Sequence, residues 1–393
     1  MITLLADRNI PYLSHFIHPE VNLVLFDPEE RLPGRVSADA LIVRTVTRIN
    51  KETLPKQLEK TLRFVATASA GTDHLDLPFL EKKGIHVASA AGCNARAVAE
   101  YVATALLHWC YSNDESIKRT QVGIIGLGHT GSAVDQLLRK IGYRTLLHDP
   151  PRKKREKSFD NSYPKSLIQC DVLTFHVPLI DVTLTPQGYR RTRNWLNEER
   201  IRKGDFRLVI NASRGGVVDE RAVKDAYITG DLNDYIFDVW EREPSPAPAV
   251  IEDAWLATPH IAGYSIQAKV RATSMVCEAL HHFFSISFQP EPLNLDDLPS
   301  FEKVFEVERK LDEIANMRSA SFPESPLPVL ETIHPMFGLS ARLKQSAHHD
   351  EQELRTLFTR LRTREPLRNE YHTYRIPERI LSKFPVLEAL TSL

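Results

Sequence analysis

Residues 121–134 read QVGIIGLGHTGSAV, an apolar strand that runs into a glycine-rich turn and out into a helix. Gly126 permits the tight turn, Gly128 lets the backbone approach a pyrophosphate, and Gly131 allows the helix to lie close on its strand. A helix that starts at such a turn, here with Thr130 in the same run, offers free N–H groups and a positive dipole end to phosphate. The next apolar stretch, YRTLLHD, closes on Asp149, 18 residues beyond Gly131. A carboxylate that accepts hydrogen bonds from an adenosine ribose is expected at about 20. Strand, turn, helix and acid in this order predict a dinucleotide site.

Upstream of that site, ITLLAD, NLVLFD, ALIVRT, RFVATAS and IHVASA alternate with turn or helical segments. Downstream, RTLLHD, DVLTFHVP, FRLVINAS, DYIFDVW and WLATPHIAG continue the series that the glycine turn begins. Such alternation implies mostly parallel sheets covered on both faces. We therefore expect an α/β chain: a Rossmann dinucleotide-binding domain over 94–263 and a flavodoxin-like substrate domain built from 1–93 and 264–288. The second domain is discontinuous because IQAKVRATSMVCEALHHFF, after Tyr264, is long enough to return the chain to it. Asn94 stands where it would cap a helix with one apolar stripe, formed by Ala97, Val98, Tyr101, Val102, Ala105, Leu106 and Trp109. From Gln289 the composition shifts to prolines and charged helical segments, with Leu354, Leu357, Phe358 and Leu361 on one helix face. We expect residues 289–393 to form an α+β domain that associates with another subunit rather than doing chemistry, the alternative being a small autonomous α+β module packed on its own subunit.

A chain of 393 residues exceeds the roughly 250–300 at which one core stops growing. Lys+Arg 50 against Asp+Glu 51 leaves a formal charge of −1, so no global field recruits nucleic acid or a membrane surface. Cys93, Cys110, Cys170 and Cys277 form no CxxC pair, which argues against zinc and against a disulfide framework. The N-terminus has no basic leader, and no stretch approaches the ~20 apolar residues that span a bilayer. These features predict a cytoplasmic protein without a metal.

An enzyme that passes a hydride from an alcohol to a nicotinamide needs a base, a partner that orients the base, and a clamp for an anionic substrate. Arg214, in INASRGGVVD, follows a strand at the carboxyl edge of the sheet, where open α/β sheets bind ligands. Its guanidinium can grip a carboxylate with two hydrogen bonds and polarise the neighbouring oxygen. His260, in ATPHIAGY, is the best base, and Glu243, in DVWEREP, is placed to fix its tautomer. Arg, Glu and His in three successive strand-end loops make a catalytic set.

The ordered segments GLGHTG, HDPP, TFHVPL, NASRGGVVD, DVWEREP and TPHIAGY resemble the D-isomer-specific 2-hydroxyacid dehydrogenases over most of the first 290 residues. Within that family, LIVRTVTRIN, FVATASAGTDHLD, AGCNARAVAEYV, LLHDPPR and TPHIAGYS are most similar to the branch that acts on 4-phospho-D-erythronate in pyridoxal 5′-phosphate biosynthesis. The resemblance implies NAD as cofactor, a phosphorylated hydroxyacid as substrate, and a homodimer joined through a C-terminal dimerisation domain. It implies Arg214 as carboxylate clamp, Glu243 as orienter and His260 as proton carrier. Thr45, Thr67, Gly71 and Tyr264 match substrate-contacting positions. Gly126, Gly128, Thr130, Gly131, Asp149, Val177, Asp238 and Gly263 match cofactor-contacting ones. Val177 stands where threonine is usual, so a contact there runs through its backbone, and Asn194 stands where histidine is common. Arg44 and Arg48 flank Thr45 and are candidates for the substrate phosphate. The basic run Arg152 to Arg155 would suit a 2′-phosphate, which Asp149 would repel. The alternatives are another phosphorylated D-2-hydroxyacid such as 3-phosphoglycerate, or a non-catalytic NAD(H)-sensing protein of the corepressor type.

Overall fold

The apolar runs become strands because each is short, aliphatic and bounded by turn residues. In this computed structural model, residues 1–162, 167, 169–183, 185, 190–291, 293, 301–363 and 367–392 are described. The segment 294–300, at the start of the expected C-terminal domain, lies outside them. The chain divides into two compact units, Met1–Asn94 with Ser265–Phe301, and Ala95–Tyr264 with Glu302–Leu393.

The first unit holds strands β1 (Thr3–Asp7), β2 (Asn22–Phe26), β3 (Ala40–Val43), β4 (Phe64–Thr67) and β5 (His86–Ser89). They pair in parallel in the order β2-β1-β3-β4-β5, the flavodoxin-like arrangement. Successive residues point to opposite faces of a strand, so Leu4, Ile42, Phe64 and Ala66 pack with Ala272, Val276 and Leu280. Leu5, Leu41, Val43 and Val65 pack on the other side with Leu58, Leu62 and Leu80. The helix Ile266–Phe283, which supplies the first of these layers, is capped by Ser265, whose hydroxyl accepts from the Ala268 N–H at 2.9 Å.

The second unit holds β6 (Gln121–Ile125), β7 (Arg144–His148), β8 (Val172–Phe175), β9 (Leu208–Asn211), β10 (Asp234–Phe237) and β11 (Leu256–Ala257). All pair in parallel, in the order β11-β10-β9-β8-β6-β7. The order reverses at β6, and ligands of open α/β sheets bind at the carboxyl ends beside such a reversal.

The helix Ala95–Ser112 departs from the expected single stripe, since every residue from Ala97 to Cys110 is buried. Glu100 and Thr104 find partners in the C-terminal segment. Glu100 accepts from Arg368 Nη1 at 2.7 Å, and the Thr104 and Tyr371 hydroxyls lie 3.0 Å apart. Asn94 does not act as the expected cap, because its Oδ1 meets no donor.

After residue 301 the described residues contain helices and short 3-10 turns but no strand, in place of the expected α+β mixture. The prolines there punctuate helices: Pro326, Pro335, Pro377 and Pro385 each directly precede one. Proline fixes φ and lacks an N–H, and a helix start tolerates both. The helix Glu351–Thr363 buries Leu354, Phe358 and Leu361 in the same apolar cluster as Val217, Val223, Trp240 and Ala257. Its stripe is thus used within its own unit. Among the described residues, no helix is long and apolar enough to cross a membrane. Because Phe358 is fully buried, Phe358→Ala is expected to lower the unfolding free energy of the second unit by about 3–5 kcal/mol. Urea unfolding followed by tryptophan fluorescence checks this, and a loss under about 1 kcal/mol would remove the helix from the core.

Candidate active site

Each glycine of the turn after β6 has a separate physical reason. Gly126 has φ +90°, and a Cβ on it would lie 2.5 Å from Val177 Cγ1 and 2.7 Å from the His176 carbonyl oxygen. A Cβ on Gly131 would lie 1.8 Å from the Gly126 carbonyl oxygen, so only glycine lets the helix His129–Ile141 sit this close to its turn. Gly128 is exposed and precedes that helix, and a Cβ there would meet nothing within 4 Å. Thr130 lies half-buried in the first turn. The protein leaves space where a pyrophosphate would approach the helix N-terminus, and crowds the two positions that shape the turn. These residues fit a dinucleotide.

Asp149, after β7, has a structural task as well. One carboxylate oxygen accepts from the Arg152 N–H at 2.8 Å and caps the next helix, and the other accepts from the Leu127 N–H of the glycine turn at 2.8 Å. Arg152 closes the same ring of contacts by donating through Nη1 to the Leu127 carbonyl and the Ser132 hydroxyl, both at 3.1 Å. Its guanidinium therefore braces the turn and is not held out as a 2′-phosphate site.

At the carboxyl ends of β9, β10 and β11, three loops carry Arg214, Glu243 and His260. Asn211 accepts from the Ser213 N–H and hydroxyl, and its own amide donates to the Arg214 carbonyl at 3.1 Å. That clasp fixes the backbone from which the half-buried Arg214 side chain projects. The loop then passes so close to the next that a Cβ on Gly215 would lie 1.8 Å from the Trp240 carbonyl oxygen. Trp240 in turn donates its backbone N–H to Glu243 Oε1 at 3.1 Å.

His260 Nδ1 lies 2.7 Å from Glu243 Oε2. Burial pushes the Glu243 carboxyl up, but the hydrogen bond and charge of His260, with Arg362 and the Trp240 N–H, together hold it below its ordinary value. An ionised Glu243 can only accept, so Nδ1 carries the proton and Nε2 is left as the unprotonated nitrogen. The ring is carried on a left-handed backbone, with His260 at φ 58°. Asp238 explains how that conformation is held. Its Oδ1 accepts from the Thr258 hydroxyl at 2.6 Å and the Ile261 N–H at 2.7 Å, its Oδ2 accepts from the Ala262 N–H at 2.9 Å, and its carbonyl accepts from the His260 N–H at 2.7 Å. Since the one Thr258 proton goes to Asp238, the Tyr101 hydroxyl is the donor in its 2.7 Å contact with Thr258. Asp238 is only 1% exposed, so its carboxylate shapes the loop that Gly263 and Tyr264 continue.

In the first unit, Thr45 is exposed in the turn after β3. Thr67 is fully buried, and its hydroxyl shares a 2.8 Å hydrogen bond with that of Ser69, which donates to the Gly71 carbonyl at 2.9 Å. Arg44 pairs with the buried Asp7 at 2.8 Å, which commits a guanidinium that the sequence offers to a phosphate; Arg48 is exposed. Burial pushes His74 down to about 4 and His176 down to about 3, and pushes the Cys93 thiol up to about 11. Both rings stay neutral and the thiol stays protonated at neutral pH, so none of them is primed for catalysis.

The group that sequence reasoning missed is Arg362. At the end of helix Glu351–Thr363 it donates through Nε to the Tyr264 hydroxyl at 3.1 Å, and its Nη1 lies 3.6 Å from Glu243 Oε2. The only local signal is its place next to Leu361 on an amphipathic stripe, which fixes a helix face but not what that face meets.

Residues 95–262 match the D-isomer specific 2-hydroxyacid dehydrogenase, NAD binding domain. Over 98% of its length the chain is 35% identical to an erythronate-4-phosphate dehydrogenase of Azotobacter vinelandii, covering 97% of that protein. The enzyme of the same description from Marinobacter nauticus is 33% identical over 95% of this chain and 94% of its own. Among solved structures, a D-lactate dehydrogenase from Aquifex aeolicus complexed with NAD and lactic acid superposes with a TM-score of 0.56 at 24% identity, over 72% of this chain and 95% of that one. The last likeness speaks for the fold alone.

The glycine turn separates binding from folding. Gly128→Ala is expected to leave stability within about 1 kcal/mol while weakening NAD(H) binding at least tenfold in a fluorescence titration. Gly131→Ala is expected to lower stability by about 1–3 kcal/mol, because helix and turn must part. Equal effects of the two on binding and on stability would contradict this division of labour.

Proposed function

The chain belongs to the erythronate-4-phosphate dehydrogenase family, and on that premise we propose that it oxidises 4-phospho-D-erythronate at C2 with NAD. The product is 3-hydroxy-2-oxo-4-phosphooxybutanoate, and the step belongs to pyridoxal 5′-phosphate biosynthesis. The observation that carries this reading is the 2.7 Å pairing of His260 with Glu243 on a loop at the carboxyl edge of the sheet.

NAD supplies the acceptor for the hydride that leaves C2. His260 takes the C2 hydroxyl proton on Nε2, and ionised Glu243 stabilises the imidazolium that forms. Arg214 holds the substrate carboxylate, and the planar fork suits both carboxylate oxygens. Thr45, Thr67, Gly71 and Tyr264 complete the substrate contacts in our reading, with Thr67 acting through the Ser69 hydroxyl it touches. Gly126, Gly128, Thr130, Gly131, Asp149, Val177, Asp238 and Gly263 serve the cofactor, Asp238 by shaping the loop rather than by an open carboxylate.

We assign substrate binding to residues 1–93 with 264–288, cofactor binding to 94–263 and dimerisation to 289–393. The four cysteines are buried and unpaired, which supports a reducing, cytoplasmic setting. The dimer is checked by light scattering on the purified protein.

Turnover of 4-phospho-D-erythronate, 3-phosphoglycerate and unphosphorylated glycerate, followed side by side as NADH absorbance, tests the substrate. We expect the first to be preferred by kcat/KM; tight NAD(H) binding without turnover of any of them would mark a sensor instead. His260→Asn is expected to lower kcat about 10²–10⁴-fold with NAD affinity retained. Arg214→Lys, which replaces a fork by a point charge, is expected to raise KM and lower kcat together. Near-native kinetics in either variant would remove that residue from the site.

A further inference from the structure

We propose that Arg362 is a positioning residue for the proton carrier: delivered by the C-terminal helix, its guanidinium holds Glu243 and Tyr264 together and tempers the pull of Glu243 on His260. The inference rests on the reading of Glu243 and His260 given above and extends it to a part of the chain with no place in the nucleotide-binding fold.

The geometry is specific. Glu243 Oε2 is the oxygen that meets His260 Nδ1 at 2.7 Å, and the same oxygen faces Arg362 Nη1 at 3.6 Å. One carboxylate oxygen is thus shared between a ring that gains a proton during the reaction and a cation that never loses one. Arg362 is fixed from two further directions. Its Nε donates to the Tyr264 hydroxyl at 3.1 Å with the guanidinium carbon 5.9 Å from the centre of the Tyr264 ring, and its neighbour Leu361 is fully buried. The arginine side chain is only 26% exposed, so solvent screens its charge less than at a surface pair.

The sign follows from the charges. Glu243 favours a protonated His260, and a permanent positive charge beside Glu243 opposes that protonation. Opposition is useful because a base must be neutral before it can accept the alcohol proton. Among the described residues, charged or titratable groups near the couple include Asp238, whose buried carboxylate feels the charge of His260, Glu220, which faces Glu241, Arg242 and Glu243, and Tyr264, which meets Arg362. Burial pushes Glu220 up to about 8, so it is largely uncharged at pH 7, and Arg362 is a cation that Glu243 meets at 3.6 Å.

The test compares the native full-length protein with Arg362→Gln, Arg362→Lys and Tyr264→Phe. His260 ring resonances, assigned by their loss in His260→Asn, are followed by NMR against pH without substrate, and kcat/KM is followed against pH with 4-phospho-D-erythronate. In Arg362→Gln the His260 midpoint and the acid limb of kcat/KM are expected to rise together by about half a unit to one unit. Arg362→Lys, which keeps the charge, is expected to restore the midpoint while recovering kcat in part. Tyr264→Phe, which loosens the guanidinium, moves the midpoint the same way by less, and serves if Arg362→Gln does not fold. An unmoved midpoint in Arg362→Gln or Tyr264→Phe overturns the proposal, as does an unmoved midpoint with a tenfold rise in KM, which would make Arg362 a substrate grip. The NMR arm needs no turnover, so absence of activity on 4-phospho-D-erythronate would sink the substrate assignment and leave this result standing.

Discussion

A buried carboxylate, Asp238, holds the loop that carries His260, on which the chemistry we propose depends. His260 adopts a left-handed backbone, which costs a non-glycine residue about 1–2 kcal/mol. Asp238 offsets that cost with two backbone N–H bonds and a hydroxyl bond to its side chain, each to a charged acceptor and worth about 1.5–3 kcal/mol. Burial still raises the Asp238 carboxyl above its ordinary value, and the charge of His260 is among the influences that lower it. The loop is thus held by a group that is itself best satisfied when the imidazole is charged. Two carboxylates, Asp238 and Glu243, thus favour the charged imidazole that proton uptake would create in our proposal.

The sequence made this architecture readable wherever physics is local. Strand runs such as ALIV and LVIN are aliphatic because both faces of a parallel sheet are buried, and they appear as β3 and β9. The glycine turn was readable for the same reason: Gly126 and Gly131 answer to contacts within a few residues, or with one neighbouring strand end. The pairing of His260 with Glu243 was legible one step further out, because strand-end loops of one parallel sheet open on one edge. Asn194, which stands where histidine is common, has φ 51°, a backbone region that asparagine tolerates better than most residues.

What could not be read depends on contacts far apart in the chain. Glu100 and Thr104 sit on a helix whose apolar spacing suggests one buried stripe, yet both are buried because Arg368 and Tyr371 cover the outer face. No pattern near residue 100 announces a partner near residue 370. The same limit hid Arg362. Amphipathic spacing identifies Leu354, Phe358 and Leu361 as a packing face but is silent on what that face packs against, so a neighbouring arginine reads as one more surface charge. The composition shift to prolines marked a new segment but not its layout, since Pro326, Pro335, Pro377 and Pro385 each directly precede a helix.

Asp149 shows how a cofactor preference can arise from rigidity as much as from charge. Each of its oxygens already receives one hydrogen bond from the protein, one from the helix it caps and one from the glycine turn. A carboxylate oxygen has a second lone pair, so two ribose hydroxyls can still be accepted without breaking either bond. A 2′-phosphate would instead meet a negative charge that cannot swing aside without uncapping a helix and releasing the turn. Arg152, the cation nearest in sequence, is already bonded to that turn through Leu127 and Ser132. If Asp149 receives the ribose as we propose, admitting a 2′-phosphate would require two rearrangements at once, of the helix cap and of the Arg152 contacts to the turn.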